Sequence, residues 1–108
     1  MIANIYCVFD VKAGVGQMPF FMANDDLAVR SFMLAVVAAD GPMSSFPEHY
    51  TLMRLGTWND NKMIIEGENA QSVMNGLEAV ARMQGREAQS PELYRVEKTN
   101  GGNDEVEE

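Results

Sequence analysis

The stretch "YTLMRLGTWNDNKMIIEG", Tyr50 to Gly67, decides the fold, because two apolar runs flank the turn cluster Asn59-Asp60-Asn61 at hairpin spacing. Tyr50–Trp58 reads as one strand and Lys62–Gly67 as its antiparallel partner. Strict alternation puts Tyr50, Leu52, Arg54 and Trp58 on one face, with Met53 and Leu55 on the other. The chain therefore contains a sheet, and the segments on either side must supply its other strands and its cover.

Upstream, "ANIYCVFD" (Ala3–Asp10) alternates Ile5, Cys7 and Phe9 with Tyr6 and Val8. A strand apolar on both faces belongs at the centre of its sheet. "VKAGVGQMP" breaks it with glycines and Pro19, leaving "FFMA" short and extended. In an extended segment neighbouring side chains point to opposite faces, so one of Phe20 and Phe21 enters the core and the other is left for solvent or a partner. Asn24 is a good N-cap, and Asp25 and Asp26 suit the positive end of a helix. Leu27, Ala28, Phe32, Ala35, Val36 and Ala39 then recur at helical spacing until Asp40-Gly41-Pro42 stops them, which predicts a helix over 25–39.

Downstream, Ala70, Val73, Leu77, Val80 and Ala81 fall on one helical face, with Gly85 placed to cap its end, which predicts a second helix over 69–84. Gly76 would weaken that helix by about 1 kcal/mol relative to alanine. Beyond Arg86 the periodicity fades, leaving at most a short edge strand or turn around Leu93–Val96 and a disordered acidic end. The expected fold class is α+β, a small three- to four-stranded mixed or antiparallel sheet packed by two helices. Residues 1–86 form a single domain and 87–108 an acidic, largely disordered C-terminal tail.

Of the formal charge of -8, residues 1–86 hold six Lys/Arg against nine Asp/Glu, and residues 87–108 two against seven, so most of the acidity is in the tail. One cysteine, Cys7, excludes an intramolecular disulfide, and one histidine, His49, leaves no soft-ligand metal site within the chain. No apolar run spans a bilayer, the N-terminus lacks a secretory pattern, and no phosphate-loop, dinucleotide or nucleophile constellation occurs. The reading is a cytoplasmic protein without membrane contact, cofactor or metal, and not an enzyme.

Binding candidates are few. Lys12 follows the first strand, where turn charges ordinarily face water. Arg30 could pair with Asp26 four residues earlier. Tyr50, Arg54 and Trp58 on one strand face could stack bases and touch phosphates, but aromatic strand residues are more often packed, here under a helix with the arginine stem along them. Neutralising several phosphates calls for clustered basic residues, and the domain's six are scattered.

"YCVFDVKAG" (6–14), "PFFMANDDLAVRSF" (19–32) and "FPEHYTLMRLGTWND" (46–60) together resemble the small nonstructural protein of gokushoviruses, single-stranded DNA phages of the Microviridae. The matching positions are Asp10, Lys12, Pro19, Phe20, Phe21, Ala28, Arg30, Phe32, Pro47, Glu48, Tyr50, Leu52, Arg54 and Gly56. The resemblance implies a DNA-binding factor in viral genome replication or in the switch to single-stranded DNA synthesis, acting in the host cytoplasm. Combined with the residue reading, it makes Lys12, Phe20, Phe21, Arg30, Tyr50, Arg54 and Trp58 the candidate DNA- or partner-binding set. The expected partners are single-stranded DNA, phage or host replication proteins and a second copy of the chain. The alternative is an adaptor that binds a replication factor without contacting DNA.

Overall fold

The computed structural model describes residues 1–38 and 40–89. The elements run β1 (Ile2–Asp10), β2 (Val15–Gly16), β3 (Phe20–Met22), α1 (Asp25–Val36), the short α2 (Pro42–Ser45), a 3-10 turn (Pro47–His49), β4 (Tyr50–Asn59), β5 (Ile64–Asn75) and α3 (Gly76–Gln89). The order across the sheet is β2-β1-β4-β5, with β3 also paired to β1, and every pairing is antiparallel. The fold class is α+β as expected. The sheet has five strands among the described residues, because the segment after β1 returns to its edge twice. Val15 and Gly16 pair with Asp10 and Phe9, and Phe20–Met22 pair with Tyr6–Asn4.

β4 and β5 form the expected hairpin, but β5 runs on to Asn75, so residues 69–75 belong to the sheet and not to a helix. Met74 pairs with Leu52 and is buried, which is a tertiary contact that outweighs the weak strand propensity of "ENAQS". The true helix start lies at the dipeptide Asn75-Gly76. The Asn75 side-chain oxygen accepts from Leu77 N–H at 2.8 Å, while its amide donates to the Tyr50 carbonyl at 3.3 Å and the Thr51 hydroxyl at 3.2 Å. Gly76 is thus the first residue of α3, pressed against the Pro47 carbonyl where a Cβ would collide with backbone. Gly85 lies inside α3 and does not cap it. Leu77 is exposed, and Ala79 is the residue of this first turn that enters the core.

Asn24 caps α1 as expected, its side chain accepting from Leu27 N–H at 3.0 Å. The buried stripe is Ala28, Phe32, Met33 and Val36, narrower than the sequence suggested, and Leu27 and Ala35 face solvent. These residues, Tyr6 and Val8 of β1, Tyr50 and Leu52 of β4, Met74 and Ala79 make one core between the sheet and the helices. Burying a side chain such as Leu52 or Phe32 contributes about 1.5–3 kcal/mol, so this single layer accounts for most of the driving force. The expected strand or turn near Leu93–Val96 and the acidic end lie outside the described residues, as does Ala39 at the expected helix end.

Candidate binding face

Directly opposed residues of an antiparallel pair share a face, so the register divides the sheet into two sides. Tyr6 pairs with Arg54, Val8 with Leu52 and Asp10 with Tyr50, and this is the side under α1 and α3. The other side carries Ala3, Ile5, Cys7 and Phe9 of β1, Phe21 of β3, Met53, Gly56 and Trp58 of β4, and Ile65 of β5. No helix of the described residues packs there, since the core cluster contains none of these side chains. Phe21 is 51% exposed and Ile65 is 62% exposed.

Trp58 reaches this open side because of one extra residue. Ile5 pairs with Gly56 and Tyr6 with Arg54, which leaves Leu55 unmatched and shifts the alternation of β4 by one. The expected common face of Tyr50, Leu52, Arg54 and Trp58 therefore holds only for the first three. Gly56 is what permits the bulge, because a Cβ there would run into the Glu66 carbonyl of the neighbouring strand. Beyond the bulge Trp58 lies beside Phe21 in an edge-to-face arrangement, ring centroids 6.5 Å apart.

Arg54, on the helix side, is occupied. Its guanidinium donates to Asp25 at 3.0 Å and to Gln71 at 2.8 Å, and lies 3.7 Å from the Glu68 carboxylate. Asp25 also accepts from the Tyr6 hydroxyl at 2.5 Å, and Asn4 donates to that hydroxyl at 2.9 Å. The cluster fastens the first turn of α1 to β1, β4 and β5. Burial, and then the bond to the Asp25 carboxylate, push the Tyr6 phenol above its usual value. Tyr50 is 6% exposed and shifts upward too, first through burial and then through the nearby Asp10 carboxylate.

Of the sequence candidates, Phe21 and Trp58 meet on the open side. Phe20 turns inward as the other half of the Phe-Phe pair and stacks on Tyr6 at 5.8 Å. Tyr50 is core and Arg54 is neutralised. Lys12 lies in the turn beyond Asp10, which is itself about 13 Å along β1 from the Tyr6–Arg54 level, so the two charges do not converge. Arg30 is on the exposed surface of α1, and no ion pair joins it to Asp26 among the described residues. The five ion pairs of the described residues leave Lys12, Arg30 and Lys62 without an acidic partner.

The family model described as Phage ORF5 protein matches residues 3–79. The chain belongs to the Phage ORF5 protein family. No curated protein and no solved structure matches it. In this member of the phage ORF5 family the match runs from Ala3 in β1 through β5 and ends at buried Ala79, so it includes the open side together with its bulge.

Sequence reasoning missed Ile65 and Lys62. The signal for Ile65 was present, because Ile64-Ile65 after a hairpin turn must leave one isoleucine on each side of the sheet. Elsewhere the described residues offer little chemistry. Burial pushes the Cys7 thiol up and away from nucleophilic use, and His49 is stacked on Phe46 at 5.4 Å. Among the described residues no group of His, Cys, Asp and Glu side chains could hold a metal ion, and no helix is long and apolar enough to cross a membrane.

Proposed function

We propose that this phage protein is a non-enzymatic, gokushovirus-type factor that binds single-stranded DNA during viral genome replication or the switch to single-strand synthesis in the host cytoplasm. The observation that supports this is the uncovered sheet face with the Phe21–Trp58 ring pair at its surface. An antiparallel sheet with helices behind it and rings in front is an arrangement on which unstacked bases are known to stack, although that likeness is one of architecture alone. Lys12 and Lys62, in turns at opposite ends of the sheet and about 30 Å apart along the strands, are available for phosphates at the two margins. Arg54, which sequence favoured for that task, is better explained as the neutraliser of Asp25 and Glu68.

Fluorescence anisotropy of labelled single-stranded and duplex DNA, over a salt series, tests the reading. Single strands should be preferred, because only they present free base faces. Phe21→Ala should weaken binding roughly tenfold, at about 1–3 kcal/mol per stacked base. Two phosphate contacts predict a log–log salt slope of about -1.4, at about -0.7 per contact. Equal affinity for duplex, or no binding in low salt, would sink it. A second reading, an adaptor for a phage or host replication protein on this same face, is favoured by one observation: no strand residue assigned to the open side by the register is charged. Loss of a protein partner on Phe21→Ala without any DNA binding would establish the adaptor instead.

A further inference from the structure

Among the described residues three glycines stand inside strands, and the fold accounts for two of them. A Cβ on Gly16 would meet the Cys7 sulfur, and one on Gly56 would run into the Glu66 carbonyl. Gly67 of β5 is different, because a Cβ there would meet open space. The bulge that begins at Glu68 does not require it either, since its backbone stays out of the left-handed region that a glycine bulge uses. A glycine inside a strand weakens it relative to alanine, and one that the fold leaves unexplained points to a close approach from outside. We infer that Gly67 is a ligand-contact residue of the open side, where a second nucleobase of the bound single strand lies flat on the strand backbone. The inference rests on the DNA reading above.

The register places Gly67 at the end of a row. Phe21, Ile5, Gly56 and Gly67 stand opposite one another across β3, β1, β4 and β5, all on the open side. The row begins with an exposed ring and ends in two residues without side chains. Trp58 and Ile65 form the next row, about 7 Å along the strands, and Met53 stands on the other flank beyond the bulge. A bare strip of backbone thus lies between apolar flanks. Gly67 is about 14 Å from Phe21 at three strand spacings, so the rings over the two positions belong to different nucleotides. Peptide planes without side-chain donors or acceptors take a ring by its face and do not read its edge, which suits sequence-tolerant stacking. Glu66 pairs with Thr57 and so points to the helix side, away from the strip. Closeness matters, because lifting a ring by about 0.5–1 Å forfeits about a quarter to a half of its dispersion contact. A side chain at Gly67 is enough to lift it.

Gly67→Ala and Gly67→Val in the full chain separate this role from a structural one. Urea unfolding of Gly67→Ala should show stability unchanged or raised, since the new Cβ meets nothing. The emission maximum of Trp58, the only tryptophan of the chain, should stay at its wild-type position in both free variants. In anisotropy titrations with labelled oligothymidine, Gly67→Ala should raise the dissociation constant about threefold and Gly67→Val about tenfold, the latter equal to the loss of one stacked base. Gly85→Ala, at another glycine with open space but in α3, should leave binding unchanged. Lost stability in Gly67→Ala, a shifted Trp58 emission or wild-type affinity in Gly67→Val overturns the inference and leaves the DNA reading standing. Absence of binding by the wild type overturns that reading and the inference with it.

Discussion

The two sides of this sheet are built from the same kind of residue and have opposite fates. Neighbours along β4 make the contrast plain, because Leu52 is sealed under α1 and α3 whereas Met53, one residue on, points to the side no helix covers. Along β3 the contrast recurs in chemically identical residues, with Phe20 stacked on Tyr6 and Phe21 left at the surface. In these two pairs burial follows the helices, whereas Ile5 and Cys7 in the central strand β1 are buried although no helix of the described residues covers their side, so hydrophobicity alone does not distinguish a core from a binding face.

The largest test of that contrast is the adjacent pair in β4. Leu52→Ala should cost about 2–5 kcal/mol in urea unfolding, the range for emptying a closed site. Met53→Ala should cost about 1 kcal/mol or less, because the open side leaves no cavity to form. Equal losses would mean that something covers the open side after all. Gly76→Ala should come next, at about 1–3 kcal/mol, because its Cβ must displace the Pro47 carbonyl at the junction that sets α3 on the helix side.

Alkaline pH probes the same buried layer through Tyr6. Its folded phenol titrates above the unfolded value of about 10, so the neutral form is favoured by the fold. The contribution is complete below about pH 10 and is lost as pH rises through the elevated folded value. Stability measured by chemical unfolding should therefore fall above pH 10, and Tyr6→Phe should flatten that limb; an unchanged limb would put the titration elsewhere. Smallest of all, Arg82→Ala on the exposed surface of α3 removes an i, i+4 pair with Glu78 and should change stability by only a few tenths of a kcal/mol. Thermal unfolding against the wild type checks it.

Much of this was legible in one dimension. The hairpin turn, the central two-faced β1, the Asn24 cap and the split fate of Phe20 and Phe21 all follow from local rules of spacing and backbone chemistry. The second helix was misjudged because Ala70, Val73 and Leu77 match a helical period by coincidence. The informative pattern was Asn75 followed three residues later by Glu78, the signature of a helix start. Of the proposed binding residues, Phe21 and Trp58 share the open side, whereas Arg54 and Tyr50 were drawn into the interior by partners distant in sequence.

What the sequence determined by itself was β1, the extended Phe-Phe segment and α1, with the alternation along each, since these depend on residues within a few positions of one another; β2 and the short α2 fell in segments that read as loops. Which side of the sheet is covered was left to tertiary structure. So was the step that moves Trp58 across at Leu55, because a bulge exists only relative to the strand beside it. The occupation of Arg54 was also decided there, because its charge is satisfied by Asp25, Glu68 and Gln71, brought together by the packing of α1 and β5 against β4.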